Sequence, residues 1–87
     1  MKTTIKGIEK VDYFSKKNNR QVDGVRFHVE YKDPNVVGAC VEAIFIGSQA
    51  LENMGVVIPD DKYKEVIGRT LEIEYNKRGY PQHVLIS

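Results

Sequence analysis

Basic and aromatic side chains occur together in two short segments of the chain. These two groups of residues are Tyr13, Phe14, Lys16, Lys17 and Arg20, and then Lys77, Arg78 and Tyr80. A single-stranded nucleic acid is bound by cations along its phosphate backbone and by flat groups on which its bases stack. Because each stacked base contributes roughly 1–3 kcal/mol, two or three exposed rings are sufficient. The two segments are therefore candidate nucleic-acid contacts.

The same residues also have a plainer interpretation. Residues 15–21 are polar and contain three cations and no acid, a composition that is also common in solvated turns of proteins that bind nothing. In that interpretation Tyr13 and Tyr80 pack on the sheet instead of contacting a ligand. The sequence leaves both interpretations open.

The chain lacks the residue patterns of a catalytic or metal site. No nucleophile is accompanied by a base at a characteristic spacing, so we expect the protein not to be an enzyme. His28, His83, Cys40 and Glu42 lack the short spacing of metal ligands. We predict no metal and no cofactor.

Length and charge limit the choice of function further. The 87 residues fit one domain, residues 1–87, and the net charge of +1 is far from the basicity of a strongly electrostatic nucleic-acid binder. Any such site must come from local segregation of charge. A single cysteine excludes an internal disulfide. No segment has the pattern of a signal peptide or a membrane span, so we expect a soluble, cytoplasmic protein without a membrane partner.

The polar face of one strand adds two candidate contacts, Arg26 and His28. Residues 25–32 alternate between an apolar set and a polar set, namely Val25, Phe27, Val29 and Tyr31 against Arg26, His28, Glu30 and Lys32. Period-two alternation of β-branched and aromatic residues is typical of a half-buried strand. We expect this strand to be central in a small antiparallel sheet.

The remaining elements are placed by periodicity and by turn residues. We expect a bulge at Gly7 in the first strand, a second bulge at Gly24, and a hairpin tip at Asn18 and Asn19. Pro81 predicts that the last strand lies at an edge of the sheet. We predict strands at residues 3–14, 22–32, 38–46, 69–76 and 80–87, a helix at residues 48–55 and a helical turn at residues 60–68.

Three local details complete the prediction. Ser48 is expected to cap the helix and Gly55 to end it. The end of the third strand has apolar residues on both faces, so we expect it to be covered on both sides.

The order of elements predicts an all-β fold. Five strands with a short helix between strands 3 and 4 are the order of an oligonucleotide/oligosaccharide-binding (OB) barrel. An SH3-like barrel usually lacks a helix after its third strand. We therefore predict a five-stranded antiparallel OB-like barrel with a short helix between strands 3 and 4.

The chain resembles the small single-stranded-DNA-binding proteins of filamentous phages and related mobile elements. The resemblance rests on the length, on the basic residues 16–20 and on the closing pattern of residues 71–80. It implies a five-stranded barrel, a homodimer and cooperative coating of single-stranded DNA during replication. It also implies that a cation-rich wing, matched here by Lys16, Lys17 and Arg20, and a position in the last hairpin, matched by Arg78 or Tyr80, contact the strand.

We therefore predict a sequence-tolerant single-stranded-DNA-binding protein of phage or mobile-element replication, with RNA as an alternative ligand. The rival hypothesis is a small protein-interaction or structural module that uses a sheet edge or its apolar helix. The binder requires the cations of both hairpins on one face, whereas the module requires a contiguous exposed apolar patch.

Overall fold

A computed structural model describes residues 2–87 as a mostly β structure. Its elements are β1 (Lys2–Ser15), β2 (Arg20–Tyr31), β3 (Cys40–Gly47), α1 (Ser48–Asn53), a 3₁₀ turn (Asp60–Lys62), α2 (Tyr63–Val66), β4 (Thr70–Tyr75) and β5 (Pro81–Ile86). The predicted strands are confirmed, and each end differs from the prediction by at most two residues. No helix in this described part of the chain is long and apolar enough to cross a membrane.

The five strands form one antiparallel sheet in the order β3-β2-β1-β4-β5. The sheet is open, because β3 and β5 lie at its two edges and do not pair with each other in the described chain. The prediction of a closed barrel is therefore wrong, whereas the antiparallel five-stranded sheet and the helix after strand 3 are confirmed. Residues 25–31 of the predicted central strand belong to β2, which lies inside the sheet, but β1 holds the middle position.

The connection between β3 and β4 covers the core in place of a closed barrel. Leu51 of α1 and Val66 of α2 belong to the buried cluster, and Met54, Val56 and Ile58 pack against it. Because these side chains exclude water from the concave side of the sheet, the apolar faces of β3 and β5 are buried without pairing to each other.

Strand β1 is bent, as the sequence predicted. The register with β2 shifts between Ile5 and Gly7, which is the predicted bulge. Beyond the shift β1 pairs continuously with β2 up to Ser15, and its first residues, Lys2 to Thr4, also pair with β4. The register with β2 is unbroken at Gly24, so the predicted second bulge is wrong.

The apolar residues of β2 form the centre of the core. Val25, Phe27 and Val29 are 7%, 0% and 2% exposed, which confirms the period-two prediction. The rest of the buried cluster comes from the other four strands and the two helices: Ile5, Ile44, Ile46, Leu51, Val66, Leu71, Ile73 and Val84.

Only the C-terminal end of α1 agrees with the prediction. Gly47 occupies the N-cap position without a side-chain hydrogen bond, and Ser48 is already helical, so the predicted Ser48 cap is wrong. After the helix, Gly55 has a φ of +75° and its N–H donates to the Glu52 carbonyl at 3.0 Å. This left-handed residue ends the helix as predicted.

Candidate nucleic-acid interface

Strands β1, β2 and β3 present a second face that points away from the core. Directly paired residues of antiparallel strands project to the same side. Arg26 pairs with Glu9 and with Phe45, so the three share one side. The same register defines the outer face as Glu9, Val11, Tyr13, Ser15, Arg20, Val22, Gly24, Arg26, His28, Glu30, Val41, Ala43, Phe45 and Gly47.

Phe45 supplies a half-exposed ring at the middle of the outer face. The residue is 42% exposed, and its ring lies over the backbone of Gly24. A Cβ atom at Gly24 would lie 2.7 Å from Cε2 and Cζ of that ring, so only glycine leaves room for it. The prediction that both faces of this end of β3 are covered is therefore wrong. A half-exposed ring over a strand backbone is a surface on which a base can stack.

Phe45 was not among the residues predicted from the sequence. Its neighbours Ile44 and Ile46 are buried, at 8% and 2% exposure. Strict alternation places Phe45 on the opposite side from both. That alternation, together with the polar residues of the outer face of β2, was the signal that could have identified it.

Arg26 and His28 lie beside this ring on β2 and share one acceptor. Arg26 Nη1 donates to Glu9 Oε1 at 3.1 Å, and His28 Nε2 lies 3.2 Å from the same oxygen. The hydrogen bonds from His28 and Arg26 lower the pKa of the Glu9 carboxyl group below its ordinary value. The side chains of Arg26 and His28 remain substantially exposed, at 39% and 49%.

The basic turn, residues 15–21, extends the outer face at one end. Arg20 pairs with Ser15 on that face, and Lys16 and Lys17 are exposed at the tip, where Asn19 has a φ of 50°. No ion pair involves these three cations within the described chain. Tyr13 is 53% exposed and therefore does not pack into the core.

Charge is segregated between the two sides of this hairpin. Asp12 pairs with Asp23, and both project to the side opposite Tyr13 and Arg20. Asp12 also accepts a hydrogen bond from the Gln21 side chain on that side. From Arg20 to His28 the outer face therefore carries a single acid, Glu9, among the described residues. The outer face therefore shows the local segregation of charge that a nucleic-acid site requires in a chain of low net charge.

The last turn, residues 76–80, is held by one asparagine. Asn76 Oδ1 accepts from the backbone N–H groups of Arg78 and Tyr80, at 2.9 and 3.0 Å. Lys77, Arg78 and Tyr80 are exposed, and Tyr80 is 65% exposed. The alternative in which Tyr80 packs on the sheet does not hold.

The two turns lie at opposite ends of the sheet. Strand β4 runs antiparallel to β1 through the pairs Lys2–Glu72 and Thr4–Thr70. It continues past Lys2 to Tyr75, so the last turn lies at the end of the sheet where β1 begins. The basic turn instead follows the last residue of β1. Burial and the Glu42 carboxylate of β3 raise the pKa of Tyr75, which places the end of β4 near the start of β3.

The structure thus divides the predicted site residues into two groups. One group shares or extends the outer face: Tyr13, Lys16, Lys17, Arg20, Arg26 and His28. The other group lies at the far end of the strands: Lys77, Arg78 and Tyr80. The structure therefore does not bring the cations of the two turns together at one end of the sheet. Residues 2–87 contain no group of three or more His, Cys, Asp or Glu side chains arranged to hold a metal ion.

A second surface, a groove of about 530 Å³, lies beside β5. Its walls include the apolar residues Val56, Ile58, Val66, Val84 and Ile86 and the charged residues Lys62, Glu65 and Arg69. Thr70 and Ser87 exchange both backbone hydrogen bonds at 3.0 Å. Hydrogen-bonded and non-hydrogen-bonded residue pairs alternate along an antiparallel ladder. Val84 and Ile86 therefore form non-hydrogen-bonded pairs with β4, and their backbone N–H and C=O groups point towards the open edge of the sheet.

The chain matches no protein-family model, and no curated protein or solved structure is significantly similar to it. Functional assignment therefore depends on the geometry of these two surfaces.

Proposed function

We propose that the protein binds single-stranded DNA without sequence preference, through the outer face and the basic turn. The observation that carries this proposal is the half-exposed Phe45 ring on Gly24, with Arg26 and His28 beside it on the same face. An open ring for a base and adjacent cations for phosphates are the two components of sequence-tolerant single-strand binding. Tyr13 adds a second exposed ring towards the basic turn.

The layout of the sheet supports an OB-like assignment within this proposal. The OB fold is a partly open five-stranded barrel that binds through the face of strands 2 and 3 and through the loops joining strands 1–2 and 4–5. Here the candidate contacts occupy the corresponding places: the outer face of β2 and β3, the basic turn and the last turn. The resemblance to phage and mobile-element proteins extends the proposal to a homodimer that coats DNA during replication.

The same geometry argues against a duplex as the preferred ligand. Helices α1 and α2 span only Ser48–Asn53 and Tyr63–Val66. Proteins that read the major groove with a helix insert a longer one that carries base-specific side chains. The half-exposed Phe45 ring stacks only with a base that is free of its own neighbours.

A titration of labelled oligonucleotides tests the proposal. The probes are an oligothymidylate, a mixed-sequence single strand, the matching duplex and the RNA version of the mixed strand, each measured at low and moderate salt. We expect both DNA single strands to bind with similar affinity and more tightly than the duplex, and binding to weaken as salt rises. Equal or tighter duplex binding in the same buffer would reject the proposal, and tighter RNA binding would change its ligand.

The groove beside β5 favours one second candidate, a protein-interaction module. Outward-pointing backbone groups of Val84 and Ile86 next to the apolar residues of this groove fit an extended peptide that adds a strand to the sheet. Leu85, on the solvent side of the same strand, is 59% exposed. Leu85→Lys would abolish peptide capture but leave oligonucleotide binding intact, so the two candidates are separable by one variant.

A further inference from the structure

Glu9 lies where an incoming phosphate would meet the outer face. Its Oε1 accepts from Arg26 Nη1 at 3.1 Å and lies 3.2 Å from His28 Nε2. A carboxylate is an acceptor only, so the Nε2 atom of His28 carries the proton in this contact. This one oxygen therefore accepts hydrogen bonds from two side chains at once, as a phosphate oxygen would.

The backbone of β1 is shaped to allow this arrangement. Gly7 pairs with His28, and a Cβ atom at Gly7 would lie 3.4 Å from His28 Cβ and 3.7 Å from Cδ2. The imidazole therefore lies beside the backbone of Gly7 at ordinary van der Waals distance, with its Nε2 atom at Glu9.

The position of Glu9 is unusual within the charge pattern of the hairpin. Asp12 and Asp23 project to the opposite side, and Glu30, which lies beyond His28 on the outer face, forms an ion pair with Lys6 at 3.4 Å. From the Ser15–Arg20 pair to the Gly7–His28 pair, Glu9 is therefore the one acid that the described chain places on the outer face. Its side chain is 50% exposed, so no packing prevents it from swinging away from the cations.

We propose that Glu9 is a built-in competitor of phosphate for Arg26 and His28, and that it weakens single-strand binding so that the complex dissociates readily. This inference rests on the proposed function and adds a negative determinant to the same site. A phosphate that approaches the two cations must displace the carboxylate and is also repelled by it. Removing the negative charge should free one further phosphate contact.

The test compares four proteins: the natural chain, Glu9→Gln, Glu9→Ala and the control Glu52→Gln. Glu52 is an exposed acid of α1 away from the outer face, so its substitution makes the same change in net charge. Each protein is titrated with a labelled oligothymidylate of about 20 nucleotides, longer than the usual site of one such domain. The titrations are repeated over a series of salt concentrations, and melting curves confirm folding.

Both Glu9 variants should bind about three- to tenfold more tightly than the natural chain, since exposed charge pairs of this kind have modest energies. The slope of log K against log salt should become more negative by about 0.7, the value for one additional phosphate on a single strand. Glu52→Gln should change neither quantity appreciably.

Three results would overturn the inference. If the natural chain binds but the Glu9 variants bind equally or more weakly, Glu9 positions the cations or is neutral, and only the inference fails. If Glu52→Gln gains as much affinity as the Glu9 variants, the effect is one of net charge. If none of the four proteins binds the oligonucleotide, the proposed function fails together with the inference.

Discussion

Phe27 and Phe45 occupy opposite sides of the same part of the sheet and meet opposite environments. Phe27, on β2, is 0% exposed and lies among the buried residues of all five strands. Phe45, on the neighbouring β3, is 42% exposed and lies over the backbone of Gly24. Both sit in alternating sequences, but one ring stabilises the fold and the other is available to a ligand.

The difference shows how a small sheet can separate stability from binding. The inner face carries the apolar side chains of β2, so its energy comes from area removed from water. The outer face of the same strand carries Arg26 and His28, which face solvent beside an aromatic ring. Substitutions on the two faces should therefore affect two different measurements.

The largest effect is expected on the inner face. Phe27→Ala should lower the free energy of unfolding by about 3–5 kcal/mol, because it removes a fully buried aromatic ring and leaves a cavity. Chemical denaturation measures this loss. The affinity for single strands per folded molecule should stay unchanged. A large loss of affinity with little loss of stability would show that the assignment of the two faces is reversed.

Phe45→Ala should have the converse result. We expect single-strand binding to weaken by about 1–3 kcal/mol, the range for loss of one stacked base. The free energy of unfolding should fall much less than in Phe27→Ala, since the ring is already half exposed. Phe45→Tyr is the matched control and should retain affinity, because stacking uses the ring. Equal affinity of the alanine variant and the natural chain would remove Phe45 from the site.

A smaller change is expected from the basic turn. Replacing Lys16, Lys17 and Arg20 together with alanine should weaken binding to every sequence alike. The slope of log K against log salt should become less negative by up to about 2, since each lost phosphate contact contributes about 0.7. A control that replaces Lys2, Lys62 and Lys64 removes the same charge elsewhere. An unchanged slope in the first variant would identify the turn as solvated and inactive.

Much of the fold followed from short-range patterns. The alternation of Val25, Phe27 and Val29 placed the core side of β2, Gly7 marked the bulge by breaking the alternation of β1, and Asn19 marked the tip because few other residues tolerate its positive φ. Such features depend on neighbours in the chain, so one sequence is sufficient to read them.

The failures concern contacts between distant segments. The barrel was expected to close, but the residues around Val56 and Ile58 cover the core instead, and no periodicity reveals that substitution. Gly24 was interpreted as a bulge because its partner ring, Phe45, comes from a strand far along the chain. The contact of Glu9 with Arg26 and His28 depends likewise on the register between two strands.

The most direct test of the proposed interface is a map of backbone amide chemical shifts during titration with an oligothymidylate. The account predicts the largest changes at residues 7–13, at residues 16–20, at Arg26 and His28, and around Phe45. Amides lining the groove, at Val56, Ile58, Val84 and Ile86, should change little. Changes confined to that groove, with none on the outer face, would contradict the account and support the protein-interaction module.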